Sequence, residues 1–372
     1  MKLFEYQAKE AFAAAGIAIP KSALAMDEAT VVSADVGWPR VLKSQVLRGG
    51  RGKAGLVVLA REAGTAGKEA RRLFASEHKV QRILVEEAVS CTREVYLAMT
   101  LDPLTGTALV LACAEGGVDI EDLAKTAPER IIRQPVDMLE GLRPFQARII
   151  AYGLGLDGKE AKSVAAVMEK LWQVFRSHDA ELAEINPLFL LADGSAVAGD
   201  GKLAIDDNAM FRHPELEPGR DYYDSDIAYE AAQEGIPYLQ FDGDISLMCA
   251  GAGLTTTVYD LVNYEGGSIA NYLEFGGPNY RKAVRAMELC LGNDPRVVLI
   301  VTFGTIARAD VMAAGIAEAI AKLRPRCPIV ACIRGTGEEE AQATLRAAGL
   351  EPLSDTEEAV RSAVRLSKGG TR

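Results

Sequence analysis

The spacing of hydrophobic positions changes character once along the chain. Before residue 211, strand-length apolar runs and helical stripes follow one another in no fixed order. A stripe over 4–15 predicts a short helix stopped by Gly16. Strand-like runs follow at 40–47 and 56–60, then a helix at 61–76 and a strand at 81–88. Strands at 93–101 and 108–114 are joined by an Asp-Pro-Leu-Thr-Gly turn, and helices are predicted at 120–127, 144–152 and 158–178. Runs at 181–191 and 196–205 flank Ala-Asp-Gly-Ser, a hairpin signal. Residues 211–238 are polar, with Pro214, Pro218 and a helix over 224–234, the composition of a linker.

After the linker the pattern becomes regular. Strands at 245–250, 269–275, 297–303 and 328–333 precede helices at 254–263, 281–290, 309–323 and 338–348; Leu353-Ser-Asp then leads into a helix at 356–368. Such alternation implies a parallel, doubly wound sheet, whose ligands bind at the carboxyl ends of the strands. Three of those ends carry glycine: Gly251-Ala-Gly253, Gly276-Gly277 and Gly304-Thr305. Each opens a helix, whose free N–H groups and dipole suit an anion.

Folding the hairpin about Asp193 pairs residues whose numbers sum to 386, which sets Glu184 opposite Lys202 and Asn186 opposite Asp200. Strand side chains alternate faces, so Glu184 and Asn186 share one face and Ile185 and Pro187 take the other. An amide oxygen and two carboxylates on one patch is hard-oxygen chemistry suited to Mg²⁺, which takes one or two protein oxygens and leaves its other positions to water and phosphate. The same residues also read as a solvated face with an ordinary Glu184–Lys202 cross-strand pair.

Upstream, Arg48-Gly-Gly-Arg-Gly-Lys-Ala-Gly55 lies between two strands, a basic glycine loop able to cover phosphates. It lacks the GxxxxGK[ST] pattern of a Walker loop. Lys43 sits inside an apolar strand, where a lysine needs an anionic partner unless the strand is an edge. Glu86 ends another apolar strand, either beside a nucleotide base and ribose or simply exposed. Glu94 shares a face with Tyr96 and is expected to point toward the core, compensated by a metal–phosphate complex or an arginine.

Composition narrows the classes. With 372 residues the chain has room for two domains or more; 49% hydrophobic and 25% charged residues are globular values. A net charge of −11 argues against a nucleic-acid surface. Six scattered cysteines without a CxxC pair, and only three histidines, make a zinc site improbable and fit a reducing, cytoplasmic setting. The opening is amphipathic and acidic rather than a signal peptide, and no apolar run reaches membrane-spanning length, so a soluble, intracellular protein without membrane contact is expected.

Several segments together resemble the β subunit of succinyl-CoA synthetase: Glu5-Tyr-Gln-Ala-Lys9, Gly50-Arg-Gly-Lys-Ala-Gly55, Glu184-Ile-Asn-Pro-Leu188, Asp200-Gly-Lys-Leu203, Asn208-Ala-Met-Phe-Arg212 and Gly251-Ala-Gly-Leu254. The resemblance covers nearly the whole chain. It implies an α/β protein with an ATP-grasp domain over 1–236 (subdomains 20–90, and 1–19 plus 91–236) and a flavodoxin-like CoA-ligase domain over 237–372. By resemblance, Lys43, Gly50, Arg51, Gly52, Glu86, Val89 and Glu94 bind the nucleotide, and Asn186 and Asp200 hold Mg²⁺. Glu184 faces a phosphorylated histidine brought by a partner chain. Pro20 matches members that use ATP, with GTP the alternative. The implied reaction joins a carboxylic acid to CoA with ADP and phosphate as products. The nucleophilic histidine and most of the CoA site belong to an α subunit in an αβ or α2β2 assembly, and His78, His178 and His213 read as surface or capping residues.

The acid site departs from that family. Ala250 stands where Asn usually precedes Gly-Ala-Gly, Pro278-Asn279 follows Gly276-Gly277, and Thr305 replaces a second glycine before Ile306 and Ala307. Losing an amide donor to a carboxylate is worth about 1–3 kcal/mol if the group goes unmatched. The segment around Ala270 and Pro278 also looks like ATP-citrate lyase and citryl-CoA synthetases. The implied acid is therefore succinate or a relative such as malate or citrate, and a non-catalytic nucleotide-binding relative is the remaining reading.

Overall fold

The strands in the first half of the chain pair only in the antiparallel sense, and they form two sheets. The structure is a computed structural model that describes residues 1–47, 49–216 and 218–370. Its elements begin with α1 (Glu5–Ala14), β1 (Ser22–Ala25), α2 (Glu28–Ser33), β2 (Arg40–Ser44), β3 (Val57–Ala60), α3 (Ala63–Phe74) and β4 (Ile83–Glu87). Strands β1–β4 form one sheet in the order β1-β4-β2-β3 over a core that includes Leu42, Leu56, Leu73 and Ile83. Next come β5 (Arg93–Asp102), β6 (Thr107–Cys113), α4 (Ile120–Thr126), β7 (Ile132–Val136), α5 (Pro144–Gly153), α6 (Gly158–Ser177), β8 (Ala180–Leu190), β9 (Ala196–Ala198) and β10 (Lys202–Ile205). These strands make a second sheet, β10-β8-β5-β6-β7, with β9 also paired to β8. Helix α6 buries Ala161, Val164, Ala165, Met168, Leu171 and Phe175 on one helical stripe and packs that stripe on β8. Helix α1 joins this core through Ala8 and Phe12.

The expected register of the hairpin is present: Lys202 pairs with Glu184, Leu188 with Ala198, and Leu190 with Ala196. One expectation fails. The return strand 196–205 is interrupted at Gly199-Asp200-Gly201, because the backbone there passes against aromatic rings. A Cβ at Gly199 would lie 2.4 Å from the Phe189 ring, and one at Gly201 2.6 Å from that of Phe12. The break lifts Asp200 out of the ladder. Strand β8 also bulges against β5 between Ile185 and Leu188.

The second half contains α7 (Asp226–Gln233), β11 (Tyr238–Gln240), β12 (Ile245–Cys249), α8 (Ala252–Tyr264), β13 (Ile269–Glu274), α9 (Ala283–Leu291), β14 (Val297–Gly304), α10 (Ala309–Leu323), β15 (Ile329–Gly335), α11 (Glu338–Ala347) and α12 (Thr356–Ser367). The sheet order is β11-β13-β12-β14-β15, parallel except for the antiparallel edge strand β11. Strands β13, β12, β14 and β15 thus follow the flavodoxin-like 2-1-3-4 order. Strand β12 is fully buried, and two cores cover the two faces of the sheet. Patterning missed β1, α2, β7 and β11, and Leu353 forms no strand, although its N–H bonds the Ala331 carbonyl at 2.9 Å.

Contacts divide the chain into two compact units, Met1–Glu217 and Pro218–Arg372. The expected boundary at 236 falls later than this division because Ala231 and Ile236 pack into the core of the second unit. All six cysteines are free, and among the described residues no helix is long and apolar enough to cross a membrane.

Candidate functional site

The first site grows from one buried cluster of charges. Lys43 on β2 is almost fully buried, and its Nζ reaches Glu5 Oε1 at 2.7 Å, Glu86 Oε2 at 2.6 Å and the Gly199 carbonyl at 2.6 Å. The anionic partner expected for a lysine in an apolar strand is therefore present twice. Lys9 on α1 meets Glu86 Oε1 at 2.5 Å, Glu5 at 3.1 Å and the same Gly199 carbonyl at 2.8 Å. Arg51 enters from the glycine loop: its Nη1 lies 2.7 Å from Glu5 Oε2, and its Nη2 donates to both Asp200 oxygens at 2.9 and 3.0 Å. Three carboxylates face three cations, so the cluster is neutral and each buried charge has its counter-ion.

The electrostatics follow from burial and pairing. Burial opposes ionisation of Glu5, but Lys43, Arg51 and Lys9 outweigh it and hold the carboxyl far below the ordinary range. Burial likewise opposes the charge on Lys43, yet Glu5 and Glu86 keep its ammonium protonated well above the usual value. For Lys9 burial prevails and its pKa falls. Asp200 is raised, by burial first and then by Glu5, against the pull of Arg51.

Sequence reading missed Glu5 and Lys9 as members of this cluster. The signal was available: positions 5, 8, 9 and 12 are the buried stripe of α1, and two of the four are charged. Charged residues at core positions demand partners. Of the two readings of Glu86, the exposed one fails, since it is only 2% exposed and both its oxygens are taken by lysines.

The glycine loop is open around this cluster. Gly50 has φ of 72°, and a Cβ added at Gly49, Gly50, Gly52 or Gly55 would meet nothing within 4 Å. Arg48, the first residue of the predicted loop, lies outside the described residues. Val89 follows β4 and is half-buried. Glu94 corrects an expectation: it is exposed while Tyr96 is buried, because the sheet face they share is covered only from Tyr96 onward.

On the hairpin, Glu184 is 5% exposed, accepts from Lys202 Nζ at 2.7 Å and from the Tyr96 hydroxyl at 3.3 Å. Burial and Glu184 push the Tyr96 phenol well above its usual value, and Lys202 is raised by Glu184 despite burial. Asn186 accepts from the Gly117 N–H at 2.7 Å and donates to the Val118 carbonyl at 3.0 Å. Asp200 accepts from the Gly201 N–H at 2.7 Å as well as from Arg51. Asn186 and Asp200 thus engage different partners, and among the described residues no group of three or more His, Cys, Asp or Glu side chains is arranged to hold a metal. The donor set still fits a hard divalent cation, because an amide oxygen and a carboxylate are what Mg²⁺ takes from protein. Asp200 is 30% exposed and already carries a cation, the Arg51 guanidinium. His178 caps α6 as expected, whereas His213 is buried, stacked on His178 and 2.9 Å from Asp179.

The second site lies at the carboxyl ends of β12, β13 and β14, and it is built from backbone. In this strand order the switch point falls at β12 and β14. Ala250 follows β12, and Thr305, Ile306 and Ala307 follow β14; Thr305 and Ile306 are exposed, while Ala250 and Ala307 pack on the core beneath. The Gly251 and Gly276 N–H groups, two of the predicted anion donors, already hold a carboxylate. Glu274 accepts from Gly276 at 2.8 Å, from Gly251 at 3.1 Å and from the Tyr272 hydroxyl. Gly251 needs its φ of 91° to start α8, and a Cβ at Gly304 would lie 2.4 Å from the Ala307 carbonyl oxygen.

Comparison with known proteins gives this geometry its context. The family described as an ATP-grasp domain matches residues 2–190, and the CoA-ligase family matches 248–366. The chain is 59% identical over 371 residues to an ADP-forming sulfoacetate–CoA ligase subunit of Bilophila wadsworthia, covering 99% of this chain and all of that one. A subunit of the same description from an Acholeplasma species is 54% identical, covering 100% of this chain and 93% of that one. The β subunit of an ADP-forming succinate–CoA ligase from Chloroflexus aurantiacus is 41% identical, covering 99% of this chain and 100% of that one. Among solved structures, an ATP citrate lyase from Methanothrix soehngenii, in complex with citrate and coenzyme A, superposes with a TM-score of 0.72 over 99% of both chains at 19% identity, a likeness of fold.

Proposed function

Because the chain belongs to the family of ADP-forming acid–CoA ligase β subunits, we propose that it binds ATP and Mg²⁺ and, with an α-type partner, converts sulfoacetate and CoA to sulfoacetyl-CoA, ADP and phosphate. One observation carries the choice of acid: relatives matched along the whole chain and named for sulfoacetate stand at 59% and 54% identity, against 41% for one named for succinate. The altered acid-site loops agree with it. A sulfonate is tetrahedral and bulkier than a carboxylate, and Ala250 leaves space where an asparagine would stand. Thr305 offers an exposed hydroxyl to an additional oxygen.

In this reading Lys43 and the backbone of Gly50, Arg51 and Gly52 bind the triphosphate. Asn186 and Asp200 hold Mg²⁺, which when bound neutralises phosphate charge. Lys202 and Tyr96 fix the carboxylate of Glu184 so that it orients an imidazole of the partner chain. The phosphoryl group passes from ATP to that imidazole and then to the carboxylate of the acid, giving an acyl phosphate. The CoA thiolate attacks its carbonyl carbon and expels phosphate. The sulfonate takes no part in bond formation and serves recognition. Positioning and charge neutralisation are what phosphoryl transfer asks of a protein.

The test is co-expression with the α-type chain followed by CoA ligation over sulfoacetate, succinate, malate and citrate. Sulfoacetate should show the highest kcat/KM. A preference for succinate would return the acid to the commoner family substrate, and ATP binding with no acid accepted would make the chain a non-catalytic relative.

A further inference from the structure

Asp200, on the reading above, is a ligand to the divalent cation, yet both its oxygens are held by the guanidinium of Arg51. Two cations cannot share that carboxylate at contact distance without strong repulsion. We propose that Arg51 is the placeholder cation of Asp200, released only when a triphosphate gives the guanidinium a better anion, so that metal and nucleotide load as a coupled pair. The inference rests on the assignment of Asp200.

The local structure suits such an exchange. Arg51 has a buried foothold on Glu5, at 2.7 Å, which stays in place when Asp200 is released. Between Gly50 and Gly55 the loop carrying it makes its backbone hydrogen bonds locally, Ala54 to Gly50, Gly55 to Gly52 and Leu56 to Arg51; only at its end does the Leu56 carbonyl accept from the Ser44 N–H at 2.9 Å, and a Cβ at Gly49, Gly50, Gly52 or Gly55 would meet nothing. Its other side-chain ties, Lys53 to Asp119 at 3.3 Å and Arg72 to the Gly55 carbonyl at 2.9 Å, are exposed and therefore weak. Arg51 is thus the buried tether of a loop that is otherwise open. Guanidinium pairs bidentately with phosphate as readily as with carboxylate, so a triphosphate competes directly for it. Once Arg51 turns away, the Gly201 N–H remains on Asp200 Oδ1 and keeps the carboxylate oriented. The Arg51–Glu5 pair persists beside Lys43 and Lys9, so moving the guanidinium off Asp200 does not strand a buried charge on Glu5.

Binding of Mn²⁺ to the full-length chain, followed by electron paramagnetic resonance of the free ion, tests this with and without the β,γ-methylene analogue of ATP. The wild type should bind Mn²⁺ weakly alone and at least roughly tenfold more tightly with the analogue. Arg51→Ala should bind Mn²⁺ alone roughly tenfold more tightly than the wild type, with little further gain from the analogue. Arg51→Gln, which keeps polar contacts without the charge, should behave in the same way and serves if the alanine variant folds poorly. Equal Mn²⁺ affinity of wild type and both variants without nucleotide overturns the placeholder role. If Asp200→Ala at the same time loses Mn²⁺–analogue binding, the metal assignment stands and the inference about Arg51 alone falls. If Asp200→Ala binds Mn²⁺ and analogue like the wild type, the metal assignment falls and takes the inference with it.

Discussion

The two halves of this protein handle anions by opposite means. In the first unit, Lys9, Lys43 and Arg51 are buried side-chain charges held by Glu5, Glu86 and Asp200. In the second, the anion donors are main-chain N–H groups at glycine turns, and the carboxylate they hold is the chain's own Glu274. On the function proposed above, the difference follows from the ligands. A triphosphate carries several negative charges and must be neutralised, which takes full cations, and cations in a core need fixed counter-ions. A small acid carries less charge and must be told apart from near relatives, which is a matter of shape and individual hydrogen bonds.

The sharpest break of this contrast is at Lys43. Lys43→Met leaves Glu5 and Glu86 with too few cations and should lower stability by about 3–5 kcal/mol in urea unfolding. A change below about 1 kcal/mol would show the cluster to be solvated rather than a closed network. The same cluster sets an acid limb. The folded carboxyl of Glu5 stays ionised where the unfolded one, with its ordinary value of 4.5, takes up a proton. The unfolded state then binds more protons, so stability is present above that value and is lost as pH falls below it. Glu5→Gln should cost about 3 kcal/mol at neutral pH and flatten that limb. Asp200, raised by burial and by Glu5, works in the opposite sense, and losing the Glu5 charge lowers it, so the flattening read in the variant is the net of both changes. An unchanged limb in Glu5→Gln would place the acid sensitivity elsewhere.

Asp200→Ala should lower phosphorylation of the partner chain from ATP by roughly a hundredfold while leaving the second unit intact. Retained phosphorylation would remove Asp200 from the metal site. The counterpart in the second unit is milder. Glu274→Gln keeps one oxygen for the Gly251 and Gly276 N–H groups but removes the charge and sets an NH2 where the Tyr272 hydroxyl donates, a change of about 1–3 kcal/mol. It should raise KM for the acid and leave nucleotide affinity unchanged; a matching loss of nucleotide affinity would dissolve the contrast. The smallest effect is expected at Ala250. Ala250→Asn restores an amide donor and should improve kcat/KM for succinate over sulfoacetate by no more than about tenfold. No shift in that ratio would take Ala250 out of acid recognition.

The chain's own pattern determined a good deal. Regular strand–helix alternation after residue 238 is enough to dictate a parallel sheet, because a parallel neighbour needs a crossover and the helices supply it. The hairpin register, Glu184 opposite Lys202, followed from turn chemistry and a side-chain period of two, both local properties. What tertiary structure alone decided is where charges meet. Glu5 and Lys9 lie far along the chain from Asp200, and the cluster they form depends on α1, β2, β4 and the Gly199-Asp200-Gly201 break being brought to one place. Glu94 lost its expected core environment, and Glu86 its exposed alternative, for the same reason: alternation states which face of a strand a residue occupies, but not how far the cover over that face extends. Edge strands such as β7, with Pro135, and β11 were invisible because they carry too few apolar residues to announce themselves and are held by their neighbours' hydrogen bonds. Periodicity is written residue by residue, whereas electrostatic partnership is a property of distance in space, and distance exists only after folding.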